Sequence, residues 1–126
     1  MAYNYKSSSS GATKFGTPTI SKSDTYMTFK QTSSLMGTVF SSLAIDLTNY
    51  SKIKINRTAT SGGSSNYTCT FGLTSTIKNN YTVATSVSIK GSGDVYLDIS
   101  SLSGNYHLYF MLYSATLKIY SISLIK

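Results

Sequence analysis

The sequence predicts an antiparallel two-sheet β-sandwich of about eight strands, and three observations carry that prediction. Ser and Thr make up about a third of the 126 residues, alongside 11 Tyr, while Glu and Trp are absent. That mixture suits pleated surfaces with one solvated face and lacks the residues that favour helices. Second, apolar residues alternate with polar ones in short segments separated by Gly, Ser and Asn, which suits a sandwich or a barrel. Third, two stretches, residues 43–55 and 95–112, share one plan: an alternating strand, an Asp followed by Ser or Thr, an apolar plug (Tyr50, Leu102) and a second strand. Plugs that close the end of an apolar interlayer select the sandwich. No segment keeps a helical period beyond one turn.

Residues 1–16, with Ser7-Ser-Ser-Ser-Gly11, read as a flexible or docking N-terminal arm rather than a strand, leaving 17–126 as one domain. A short strand is expected at 17–21, limited to an edge by Pro18. The next, 25–31, turns Met27 and Phe29 inward. Segment 38–47 points Val39, Leu43, Ile45 and Leu47 inward, and 51–60 points Ile53 and Ile55 inward with Lys52, Lys54 and Asn56 outward. After a loop at 61–65, strand 66–74 sets Tyr67, Cys69, Phe71 and Leu73 against Thr68, Thr70 and Thr74. A turn at 78–80 leads to 82–90, with Val83, Val87 and Ile89 inward, and Gly91-Ser-Gly93 turns again. Strands 95–99, 105–113 and 116–125 complete the set. In the last, Leu117 and Ile119 fall out of phase with Ile122 and Leu124, which predicts a bulge near Tyr120. The inward set Ile53, Ile55, Phe71, Val87, Leu97, Ile99, Leu108 and Phe110 is expected to form one cluster.

Asp46 and Asp98 are expected to be structural turn caps, since a short carboxylate accepts backbone N–H groups where a ladder stops. The formal charge of +7 arises from 11 bases against four acids. It raises nucleic acid, acidic glycans and anionic envelopes as partners. The bases are scattered, with no run of three, so nucleic acid is disfavoured and a surface short of acids is the plainer reading. No stretch is apolar enough to insert in a membrane, and residues 1–6 have no apolar run of a secretory signal. The single Cys69 shares a face with Tyr67, Phe71 and Leu73 and reads as a small buried hydrophobe. Four sequons, at Asn49, Asn56, Asn66 and Asn80, are expected by chance in so Ser/Thr-rich a chain.

The residue types argue against catalysis. Glycoside cleavage needs two carboxylates about 5–9.5 Å apart, whereas Asp94 and Asp98 sit four strand residues, roughly 13 Å, apart. His107 is the only histidine, so a site of several His ligands is excluded and no cofactor is called for. One strand stands out. His107, Tyr109, Met111 and Tyr113 form an apolar and aromatic row opposite Tyr106, Leu108, Phe110 and Leu112, as in a strand covered on both sides. The row is a candidate subunit contact, covered by the N-terminal arm or a neighbouring copy, or else a candidate glycan groove. Coverage by protein is favoured, because Met is commoner in packed contacts.

The strings Ile-Asp-Leu-Thr-Asn-Tyr-Ser-Lys-Ile-Lys-Ile (45–55), Leu-Asp-Ile-Ser-Ser-Leu-Ser-Gly-Asn-Tyr (97–106) and Leu-Lys-Ile-Tyr-Ser-Ile-Ser-Leu (117–124) resemble β-sandwich domains of phage tail and other virion structural proteins. Those domains are similar to jelly-roll carbohydrate-binding modules. The resemblance implies a jelly-roll-like, non-enzymatic structural or adsorption subunit of a phage-like virion. Its expected partners are other virion subunits or itself, and host surface glycans. Synthesis in the host cytoplasm without a signal peptide suits that location. A free-standing carbohydrate-binding module is the alternative. Some similar modules hold calcium through Asp and loop carbonyls, a minor alternative for a chain with four acids.

Overall fold

The computed structural model of the chain describes residues 2–4, 18–31, 35–63, 66–78 and 81–126. Among them the regular elements are all strands: β1 (Ala2–Asn4), β2 (Thr19–Lys22), β3 (Met27–Lys30), β4 (Met36–Phe40), β5 (Ile45–Asp46), β6 (Lys52–Ser61), β7 (Thr68–Thr74), β8 (Thr85–Ser88), β9 (Gly91–Asp98), β10 (Asn105–Tyr113) and β11 (Ala115–Ile125). No helix there is long and apolar enough to cross a membrane. The first sheet has the order β1-β4-β10-β7-β8 and the second β2-β3-β11-β6-β9, while β5 pairs with the start of β10. Among the described residues the two sheet orders thus hold ten strands where about eight are expected: β1 adds an edge strand, and the expected 38–47 strand divides into β4 and the short, separate β5.

Every pairing is antiparallel, and four of them organise the rest: β3 with β11, β4 with β10, β6 with β9 and β7 with β8. These make one long ribbon, outgoing through β3, β4, β6 and β7 and returning through β8, β9, β10 and β11. Successive rungs fall in opposite sheets, so the ribbon wraps around its own apolar face. The edges are finished by β1, on β4, and by β2, whose four residues are all exposed after buried Pro18. Of the arm expected over 1–16, Ala2–Asn4 are this edge strand, and 5–16 lie outside the described residues.

Between the sheets lies one core, and period-two alternation puts it there. β6 buries Ile53, Ile55, Arg57 and Ala59 and turns Lys52, Lys54, Asn56 and Thr58 out. The expected inward set is indeed one cluster, with Val87 half-buried at its margin. At its centre Phe110 stacks on Phe71 within the first sheet (5.1 Å between centroids) and on Phe29 of the second (5.2 Å). The bulge falls at Tyr120, where the β6–β11 register shifts between Ile119 and Ser121. That one extra residue brings Leu124 back to the core side.

Two inward assignments and one expected turn need correction. Leu43 is 79% exposed, because residues 41–44 loop out opposite 107–108 of β10, with the Ser41 hydroxyl accepting the Leu108 N–H. The excess is two residues, so parity is kept and Ile45 still packs on the core. Val83 is exposed because β8 does not begin until Thr85. The expected turn Gly91-Ser-Gly93 is instead the start of β9, with both glycines at positive φ (93° and 100°). Buried Arg57 holds that corner: its guanidinium donates to the carbonyls of Ile89 (3.0 Å), Lys90 (2.6 Å) and Gly93 (3.0 Å). An inward arginine is thereby satisfied without an acid, as burial demands.

The ends of the sandwich differ. At one, single-residue Ser114, at φ 49°, carries the chain from β10 to β11; its carbonyl accepts the Gly62 N–H (2.6 Å), and a Cβ on Gly62 would lie 2.6 Å from the Gln31 carbonyl. At the other, the two Asp turns lie side by side.

Truncating the ring at the centre of the core tests the phasing. Phe110→Ala should lower unfolding stability by about 3–5 kcal/mol, read from urea or thermal melts, and an unchanged melt would contradict the packing.

Candidate functional site

The two Asp turns share one chemistry. Asp46 Oδ1 accepts the Thr48 hydroxyl (2.6 Å) and N–H (3.0 Å), and Asp98 Oδ1 accepts the Ser100 N–H (2.9 Å) and hydroxyl (2.7 Å). These bonds favour the ionised form and hold both carboxyls below their ordinary value of 3.8, led by the hydroxyl at Asp46 and by the N–H at Asp98. The turns are cross-tied: the Gly104 N–H donates to Thr48 Oγ1 (2.9 Å), and the Gly104 carbonyl accepts the Leu47 N–H (2.9 Å). The expected plugs Tyr50 and Leu102 are half-buried against the core, and the fully buried residues at this end are Leu47 and Ile99.

The row on β10 is brought together but lies beneath a cover. Tyr109 is 2% exposed and Met111 7%; they pack with Met36, Phe40 and fully buried Tyr81 in a second apolar cluster on the outer face of the first sheet. Tyr81, from the β7–β8 connection, stacks on Tyr109 at 4.8 Å and meets Phe40 edge-on at 4.9 Å. Its hydroxyl lies 3.0 Å from Thr38 Oγ1 inside the cluster. The Tyr109 ring lies over Gly72, where a Cβ would come within 2.5 Å of it. Burial pushes both phenols up, keeping them protonated as neutral hydrogen-bonding groups. Half-buried Tyr113 flanks the cluster, and His107 Nδ1 is 2.9 Å from the Ser41 carbonyl. Among the described residues the cover is thus the chain's own Ile77 and Tyr81. Isolated apolar residues in a polar segment, Ile77 and Tyr81, are its only signal in the sequence.

The outer face of the second sheet is open. Register places Lys30, Lys118, Thr58, Asn56, Lys54, Lys52, Asp94, Tyr96 and Asp98 on it. Tyr96 is 49% and Tyr120 44% exposed. Tyr26, from the β2–β3 turn, meets Tyr120 edge-on at 5.8 Å, and the Tyr120 hydroxyl is 3.4 Å from Thr58 Oγ1. Lys118 Nζ sits 5.2 Å from the Tyr26 ring centroid and Lys52 Nζ 5.9 Å from that of Tyr96. Asp94 takes the Asn56 amide (2.8 Å) and Lys54 (3.6 Å). Rings beside amide, hydroxyl, ammonium and carboxylate groups can stack on a flat polar ligand and hydrogen-bond its rim. Sequence reasoning missed these tyrosines, although Tyr96 and Tyr120 each alternate with a charged neighbour in an outward phase.

Two other groups carry no site. Cys69 is buried, and desolvation pushes its thiol up to about 12, too high for a reactive thiolate. Among the described residues no three His, Cys or Asp side chains gather as metal ligands do.

Tyr81→Phe should cost about 1 kcal/mol through the lost hydrogen bond. Tyr81→Ala should cost several times more and raise dye binding to the uncovered face, both read by urea titration and ANS fluorescence. Asp98→Asn should keep the turn with a modest loss of stability. Because its folded pKa is lowered, the carboxylate stabilises above the unfolded value and this contribution fades as pH falls below about 4. The gap between wild type and variant should therefore be present at neutral pH and narrow in acid, as measured by urea midpoints across that range.

No family model matches the chain and no curated protein matches it, so the chemistry of the exposed face carries the functional reading.

Proposed function

We propose that this chain is a non-catalytic structural or adsorption subunit of a phage-like virion, of jelly-roll topology, that contacts host surface glycans through the outer face of its second sheet. The observation that carries this reading is the contrast between the sheets. One outer face is covered over Tyr109 and Met111 by Ile77 and Tyr81, while the other keeps Tyr26, Tyr96 and Tyr120 beside lysines and the Asn56 amide. The jelly-roll reading is supported by the wrapped ribbon, whose four rungs alternate between sheets. Assembly is supported by β1, a three-residue strand on the β4 edge, since an edge that accepts one short strand can accept its equivalent from another copy. A free-standing carbohydrate-binding module would use the same tyrosine face, and no cofactor enters either reading.

Native mass measurement of the full chain and of a chain lacking residues 2–16 separates the two. The virion reading expects a defined oligomer for the full chain and a folded monomer for the truncated one. Two monomers of equal glycan retention would favour the free-standing module.

A further inference from the structure

On the reading that the second sheet binds glycans, we propose that its ligand is an acidic polysaccharide, selected because lysines guard the stacking rings. Lys118 lies 5.2 Å from the centroid of Tyr26 and Lys52 5.9 Å from that of Tyr96, so two of the three rings carry an ammonium beside them. A neutral sugar stacking on either ring must push that ammonium off and gives nothing back for the lost cation–π contact. A uronic acid or other carboxylated sugar draws the ammonium to its own carboxylate, exposing the ring and gaining an ion pair in one movement. Third, the charges are lopsided. Lys30, Lys52, Lys54 and Lys118 face out, against Asp94 and Asp98 alone. Asp94 is already held by Asn56 and Lys54, and Oδ1 of Asp98 by Ser100. Lys118 is therefore the ring-side cation best placed to meet an incoming anion, while Lys52 is shared with Asp98, its partner across the β6–β9 pair. A linear chain laid across β11, β6 and β9 would pass Tyr120 and then Tyr96, two strands or roughly 10 Å across the sheet.

The test uses the full chain and a panel of polygalacturonate, alginate and hyaluronate, each beside its carboxyl-reduced neutral counterpart, by calorimetry at low and high salt. At least one acidic polymer should bind about tenfold tighter than its neutral counterpart at roughly 20 mM salt, with the gap closing towards about 0.5 M. Lys52→Gln with Lys118→Gln should erase that preference while leaving the fold intact, weakening the acidic polymer and easing the neutral one, since no cation–π contact is then given up. Tyr96→Ala should weaken acidic and neutral polymers alike. Equal binding of acidic and neutral counterparts would overturn the selection for acid and leave glycan contact standing. Binding of none of the panel or of the neutral set would overturn the glycan reading itself. Duplex DNA bound as tightly as the best acidic glycan, with the same loss in the double lysine variant, would overturn a carbohydrate ligand in favour of nucleic acid.

Discussion

Ser114 alone separates β10, the middle strand of one sheet, from β11, the middle strand of the other. A chain that reverses from layer to layer in one residue must use a left-handed backbone there, and Ser114 does so at φ 49°. The corner is held from both sides: its N–H reaches the Leu35 carbonyl (3.1 Å), and its own carbonyl takes the Gly62 N–H. Glycine at 62 is a packing requirement, because a side chain would run into the backbone of Gln31, Ser114 and Ala115. On either side of this corner, β4 and β7 flank β10 while β3 and β6 flank β11. The stack of Phe29, Phe110 and Phe71 then fills the space between the layers.

The tyrosines show how one residue type serves opposite ends. Tyr81 and Tyr109 are sealed, neutral and hydrogen-bonded inside the outer cluster of the first sheet, where they act as volume. Tyr26, Tyr96 and Tyr120 stand on the outer side of the second sheet with Lys52 and Lys118 beside them and Asn56 on the same face. The first arrangement stiffens a sheet by covering both of its faces. The second leaves a flat, wet surface on a rigid support, which suits recognition better than a mobile loop would.

The alternation of Ile53 and Ile55, of Phe71 and Leu73 and of Leu108, Phe110 and Leu112 was legible because each sits in a strand that keeps one face to the core. The phase slip before Ile122 was equally legible, since a single extra residue is the only way both halves of β11 can face inward. Asp46 and Asp98 could be read as caps because their partners lie two residues away. Leu43 and Val83 were misread because loops can carry apolar residues in phase with strands that have already stopped. Arg57 hides in an inward phase since its partners are carbonyls, which no side-chain pattern reveals. Tyr81 was invisible as a cover because its contacts with Phe40 and Tyr109 are made across long stretches of sequence. The Tyr26–Lys118 and Tyr96–Lys52 pairs need register, which alternation within one strand does not supply.

The wrapped ribbon also sets an order of events. Its one hairpin in sequence is β7–β8; every other rung joins segments that are further apart the closer they lie to the ends of the ribbon. Ser61 of β6 meets Ala115 of β11 only after the chain between them has built most of the other sheet. Until β11 arrives, β3 and β6 have no strand between them, and the apolar residues they expose have nothing to close on. Such non-local closure makes folding slow and leaves strand edges bare while it proceeds. On a ribosome, the second sheet would stay open until residues 115–125 have emerged, so the surface that carries Tyr26, Tyr96 and Tyr120 forms after the first sheet has its strands.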